Sequence, residues 1–244
     1  MAKLPASPSR IYLDEFDISG YLTSTSLDLT QETAGVTTFA DAGPRRVVGN
    51  YDFSQSHAGL LDPTDDAYDE QIFALLDDSD HYLTQLFGAN AMGSVAYDSL
   101  VHLTGQPRSA AVGGAILLNF DTAGSGGVSR GLVLASKTTT GAENLTGYNM
   151  GATGAGTEFR VIYRVLTFDG TDITLHIEES SDDAAADAYE DIVGLTETFT
   201  DVGVATDTVV IATEAWKRCV VSGDFTSALI LVTAGIVQGT YVAP

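Results

Sequence analysis

Strand-like runs dominate the polar and apolar pattern of the chain. A short strand is predicted over Arg10–Phe16, then an Asp17-Ile-Ser-Gly20 turn and a second strand over Ser24–Gln31. A long polar loop follows, and a third strand is predicted over Asn50–Leu61. Beyond Asp62 the period changes. Tyr68, Ile72, Leu75 and Leu76 share one helical face, while Pro63, Thr64, Asp65, Asp66, Asp69 and Glu70 supply start signals and negative charge at the positive end of the helix dipole. A helix is therefore predicted over Asp66–Leu76, stopped by Asp77-Asp78-Ser79-Asp80, and His81–Phe87 fits a strand.

From Gly93 the pattern is again β. Strands over Val95–Leu103, Ala115–Asp121 and Val128–Leu134 lie between Gly, Ser, Pro and Asn clusters, with Leu117–Phe120 as a compact apolar run. The Gly-rich stretch Gly124–Gly131 fits a turn between strands. Residues 137–156, KTTTGAENLTGYNMGATGAG, carry few apolar side chains and read as a linker or long loop. Six strands follow at short spacing: Glu158–Phe168, Thr171–Glu178, Ile192–Phe199, Thr208–Ala212, Trp216–Val221 and Ala228–Val237. Asp169-Gly170 is a tight hairpin signal between the first two. Val161, Tyr163 and Val165 alternate with Arg160, Ile162 and Arg164, which gives one apolar face and one mixed face. The pattern predicts a mainly β protein. Residues 1–136 form a β-sandwich with one α-helix, 137–156 connect, and 157–244 form a jelly-roll or immunoglobulin-like β-sandwich.

Charge changes the picture more than composition does. The apolar fraction of 44% suits a globular chain, but 33 acidic residues face 11 basic ones, for a formal net charge of −22. Lys3, Lys137 and Lys217 are the only lysines. Self-repulsion on this scale destabilises a compact state in dilute buffer, and screening relieves it, since the Debye length falls to about 3 Å at 1 M salt. A salt-loving host is expected. Tight binding of nucleic acid is not, because affinity for DNA comes chiefly from Lys and Arg. Cys219 is the lone cysteine, so no intrachain disulfide is expected, and its alternating strand suits a buried apolar role. Lys3, Pro5, Ser7 and Pro8 do not form a secretory signal, and no stretch is long and apolar enough to span a bilayer. The expected location before any assembly is the host cytoplasm.

The order of parts over residues 10–62 resembles the start of the tail tube (major tail) proteins of long-tailed viruses. The shared elements are the short first strand, Asp17-Ile-Ser-Gly-Tyr-Leu22, the alternating strand after it, and a Thr-rich loop with Thr37, Thr38, Phe39 and Asp41, followed by a strand and an acidic helix. The stretch HIEESSDDAAADAYEDI, followed by the Trp216-Lys-Arg-Cys strand, resembles the C-terminal sandwich appended to some virion proteins. The resemblance implies a structural virion protein of the tail, with an archaeal, halophilic virus as its source once the charge is added. It implies a homo-oligomeric, hexameric ring that stacks on others, meets further tail proteins, and passes DNA through an acidic lumen without tight binding. In that family the loop matching Thr33–Gly43 reaches a neighbouring ring. Thr37, Thr38, Phe39, Arg45 and Arg46 thus become candidate ring-to-ring contacts, with Phe39 as an anchor and the arginines facing acidic neighbours.

Reactive chemistry is sparse. His57, His81, His102 and His176 include no H-x-H or i, i+4 pair, so neither a metal site nor a cofactor is expected. Asp62, Asp65, Asp66 and Asp69, then Asp77, Asp78 and Asp80, then Asp182, Asp183, Asp187, Glu190 and Asp191 form acidic clusters without EF-hand spacing and read as solvated faces. There is no G-x-S-x-G elbow, no H-E-x-x-H and no phosphate loop, so an enzyme is not expected. Asn144-Leu-Thr146 matches the glycosylation acceptor triplet. Two other readings stay open: a capsid decoration or neck protein, and a carbohydrate-binding adhesive module with exposed Tyr148, Tyr189 or Trp216.

Overall fold

The computed structural model describes residues 9–38, 42–61, 68–76, 79–88, 90–110, 114–211 and 213–238. The elements of the first half are β1 (Arg10–Leu13), β2 (Phe16–Asp17), β3 (Leu22–Gly35), β4 (Arg46–Leu60), α1 (Tyr68–Ala74), β5 (His81–Phe87), β6 (Val95–Gly105), β7 (Arg108–Ala110) and β8 (Ile116–Gly124). The second half holds β9 (Val128–Thr139), β10 (Glu143–Asn144), β11 (Tyr148–Asn149), β12 (Glu158–Gly170), β13 (Ile173–Ser180), β14 (Glu190–Phe199), β15 (Gly203–Val210), β16 (Trp216–Ser222) and β17 (Phe225–Gln238). The protein is mainly β, as its alternation predicts.

Contacts divide the chain into two interleaved units, one of residues 1–20, 82–99 and 128–244, the other of 21–81 and 100–127. In the first unit one sheet runs β15-β12-β17-β9-β6-β5-β1-β2, and a second has β10 and β11 on β16, followed by β13 and β14. The two sheets form a sandwich. Val161, Tyr163 and Val165 of β12 and Ile230, Val232 and Ala234 of β17 share one buried cluster with Leu175 and Ile177 of β13, Leu195 of β14, and Cys219 and Val221 of β16. Each such aliphatic side chain contributes roughly 1.5–3 kcal/mol when fully buried. Cys219 fills space in this core, and burial pushes its thiol up from the ordinary value.

The mixed face of β12 is buried as well, which the alternation does not reveal. Arg160, Ile162 and Arg164 are 4%, 0% and 0% exposed. The Arg164 guanidinium donates from Nε to the Asp14 carbonyl (2.5 Å), from Nη1 to Thr84 Oγ1 (2.8 Å) and from Nη2 to the Tyr82 carbonyl (2.9 Å). Thr84 and Thr233 in turn donate to Asp98 Oδ1 at 2.5 and 2.9 Å. Burial raises the Asp98 carboxyl above its usual range, while these hydroxyls and Arg164 pull it back. Hydrogen bonding of every guanidinium arm is what makes so large a buried cation tolerable.

In the second unit β8 lies between β4 on one side and, on the other, β6 through residues 101–105 and β7. β3 is added outside β4. Phe53, Gln55 and His57 of β4 turn inward, while Asp52, Ser54 and Ser56 face out. Ile72 of α1 is buried, and Arg108 of β7 ties the helix down through Asp69 Oδ1 at 2.6 Å.

Several expectations change. The stretch predicted as one strand, Arg10–Phe16, is a hairpin: β1 turns at Asp14 (φ 48°) and β2 pairs back on it, Leu13 opposite Phe16. Asp169-Gly170 joins no hairpin. β12 pairs with β15 and β17, β13 with β14 and β16, so this dipeptide carries the chain from one sheet to the other. A Cβ on Gly170 would lie 2.4 Å from Phe225 Cα, so the close approach of β17, rather than a tight turn, requires glycine there. Within 137–156, read as a linker or long loop, β9 continues to Thr139, and β10 and β11 pair with β16. Backbone pairing is satisfied there with few apolar anchors, Leu145, Tyr148 and Met150 against the core, which is why the composition resembles a loop.

Candidate functional site

The most unusual surface is the β3–β4 ribbon. Its ladder extends from Leu22 opposite Gly59 to Gly35 opposite Arg46, yet β8 supports β4 only over Ser54–Leu60. Residues 30–35 and 46–53 therefore form two strands without a third among the described residues. At about 3.4 Å per residue the unsupported part of β3 is roughly 20 Å long. The polar segment predicted as a long loop is mostly this ribbon. Thr30, Gln31, Thr33 and Ala34 are all exposed, so there is no buried face to impose alternation. β3 pairs with β4 alone, which leaves its outer edge free among the described strands. Leu29 and Val36 expose 49% and 46% of their surface along it.

The tip closes on itself. Val36 N donates to the Arg45 carbonyl (2.9 Å), and Arg45 N donates to Thr37 Oγ1 (2.8 Å). Of the candidate contacts, Thr37, Thr38, Arg45 and Arg46 come together at this end and are exposed, while Phe39 lies outside the described residues, as does Asp41. At the ribbon's base, His57 Nδ1 lies 3.0 Å from Thr25 Oγ1, and its ring stacks on Phe120 at 4.3 Å. Burial holds this imidazole down at about 4, with Asp121 pulling the other way.

The acidic clusters resolve into local structure where they are described. Asp69 pairs with Arg108, and Asp80 lies 3.2 Å from His102 Nε2. Asp182 accepts the backbone N–H groups of Ala185, Ala186 and Asp187 and so folds the loop after β13. Asp62, Asp65, Asp66, Asp77 and Asp78 lie outside the described residues. Tyr148, Tyr189 and Trp216 are half-buried rather than exposed, and Tyr189 lies beneath Arg218 at 4.1 Å. No helix among the described residues is long and apolar enough to cross a membrane.

One cluster brings together residue types that can ligate a metal ion. His176, Glu178 and Asp191 each bring a ligand atom within 4.8 Å of the others. His176 and Glu178 share a face of β13 by the period of two, an H-x-E signal present in the sequence. Asp191 arrives from β14, thirteen positions after Glu178, which no local spacing predicts.

No family model and no curated protein sequence matches the chain. Among solved structures, it is similar to a chain in the virion of a native gene transfer agent particle, at 19% identity and TM-score 0.45, over 52% of this chain and 98% of that one. It is similar to a chain in the tail of an empty gene transfer agent particle refined with C6 symmetry, at 20% identity and TM-score 0.38, over 48% of this chain and 92% of that one. A third similarity, at 11% identity and TM-score 0.36, is to the Dit protein of phage SPP1, described as a hub of the adsorption apparatus of phages infecting Gram-positive hosts, and covers 93% and 98% of the two chains.

Proposed function

We propose that this chain is a structural protein of a viral tail, the tail tube subunit, and that the β3–β4 ribbon joins it to its neighbours. The ribbon carries the reading. Two strands alone are at best marginally stable in water, and an unpaired strand edge is a template for another strand. A neighbouring copy that pairs along β3 satisfies both, by the strand-addition mode of recognition. At the tip, Arg45 and Arg46 place positive charge on a chain of net charge −22, which suits an acidic neighbour in the next ring. Thr37, Thr38 and Phe39 complete that contact. Hexameric stacked rings and a halophilic archaeal host are parts of this reading that rest on the family resemblance of residues 10–62 and on the charge. A lumen of this sign offers a polyanion no cationic traps, so DNA slides through it.

The test is negative-stain electron microscopy of the purified chain at ~0.1 M and ~2 M salt, which spans the screening range. Tubes or six-fold rings at high salt are expected, and the double variant Arg45→Glu/Arg46→Glu should leave rings that do not stack. Trimers at both salt concentrations would replace the tube with a capsid decoration or neck role. Monomers at both would leave the glycan-binding module.

A further inference from the structure

We propose a binding site for a divalent transition-metal ion of the zinc class, formed by His176 Nε2, Glu178 Oε1 and Asp191 Oδ1 on the outer face of β13 and β14. His176 Nε2 lies 3.3 Å from Asp191 Oδ1 and 3.7 Å from Glu178 Oε1. These spacings are long for hydrogen bonds to an imidazole nitrogen, whose usual range is about 2.7–3.2 Å. The shorter matches the edge of a tetrahedron around zinc and the longer exceeds it by about 0.1 Å. Bonds of about 2.0–2.2 Å to zinc put neighbouring ligand atoms roughly 3.3–3.6 Å apart.

Two further features make this a built site. The first is a bulge. Between the pairs His176–Thr196 and Glu178–Asp191, β13 advances two residues while β14 advances five. The four intervening residues of β14, 192–195, bury Ile192 and Leu195 in the core and turn at Gly194, whose φ is +87°. The strand thus re-enters the ladder with Asp191 beside His176, the re-aiming that bulges provide. The second is a clamp on Glu178. Arg218 donates from Nη2 and Nε to Glu178 Oε2 at 2.5 and 2.6 Å, and its guanidinium lies 4.1 Å over the Tyr189 ring. Tyr189 donates to Asp183 Oδ1 at 2.7 Å. One carboxylate oxygen is therefore fixed from behind, and the other faces the imidazole, as outer partners orient metal ligands.

An imidazole with two carboxylates favours zinc and its first-row neighbours over calcium or magnesium, which prefer oxygen alone. Three protein ligands leave a fourth position on the side of Asp191, whose side chain is 72% exposed. Bound there, the ion fastens β14, whose one partner among the described strands of its sheet is β13, across the bulge.

Calorimetric titration of the tag-free, chelator-treated full chain with ZnCl2, and separately with CaCl2, tests the site. One zinc per chain is expected, with a thermal midpoint that rises on binding and no comparable response to calcium. His176→Gln should weaken zinc at least ~10-fold, the lower bound seen when only outer partners are lost. Asp191→Asn, at an exposed position that leaves the fold intact by circular dichroism, should do the same. Zinc affinity equal in wild type and Asp191→Asn, or no zinc binding by the wild type, overturns the proposal and leaves His176 beside two carboxylates with no ion between them.

Discussion

Replacing Arg164 by methionine keeps the length and most of the packing of the side chain and removes its charge and all three hydrogen bonds. The acceptors left behind are the Asp14 and Tyr82 carbonyls and Thr84 Oγ1, with Asp98 buried next to them. Removing one partner from a buried charged network costs roughly 3–5 kcal/mol, because the remaining buried groups lose donors that water does not reach to replace. A domain is stable by only about 5–15 kcal/mol, so the loss is a large fraction of the total. At about 2–4 °C per kcal/mol for a chain of this size, the melting temperature should fall by roughly 10 °C. Urea denaturation in 2 M NaCl, followed by the fluorescence of the single tryptophan, Trp216, reports on the unit that contains Arg164. Asp98→Asn keeps an acceptor for Thr84 and Thr233 and should cost less, and in the double variant the two effects should fall short of additivity because both residues share one network. A loss below ~1 kcal/mol for Arg164→Met would refute the argument that this guanidinium ties the Asp14 turn and β5 to β12.

Two other predictions concern packing and protonation. His57 titrates near 6.5 in an unfolded chain but at about 4 when buried, so between these values the unfolded state binds more protons and stability rises with pH. About 3 kcal/mol should be lost as pH falls from 6.5 to 4, and the loss should be absent in His57→Gln; equal pH slopes in hydrogen exchange of the β4 amides would argue against it. Gly131 faces Gly235 across β9 and β17, and a Cβ at 131 would meet the Ala234 carbonyl oxygen at 1.6 Å, so Gly131→Ala should cost about 1–3 kcal/mol or more by urea midpoint. Gly35→Ala, with nothing within 4 Å, should change stability by less than ~0.5 kcal/mol, and equal effects at both sites would contradict the close approach of these strands.

The alternation of apolar residues was enough to place most strands. β5 coincides with the predicted His81–Phe87, the strands predicted near Val95, Val128 and Glu158 begin where β6, β9 and β12 begin, and the helical face through Ile72 marks α1. Local chemistry also identified Cys219 as a core residue. A period of two reports that a strand has two faces, but it does not say what covers each. The burial of Arg164 was therefore invisible until the Asp14 turn and β5 were placed against it. Strand pairing is equally non-local: Asp169-Gly170 has the chemistry of a hairpin, and only the pairing of β12 with β17 and of β13 with β16 makes it a crossing between sheets. The ribbon escaped notice because a strand exposed on both faces needs no apolar pattern. Asp191 reaches His176 only because four residues of β14 leave the ladder between Thr196 and Asp191. The sequence by itself determined which segments extend and which side chains seek the interior, since both depend on neighbours along the chain. Which edges stay free and which donors converge was decided by tertiary structure, because those depend on backbone pairing between residues far apart in sequence.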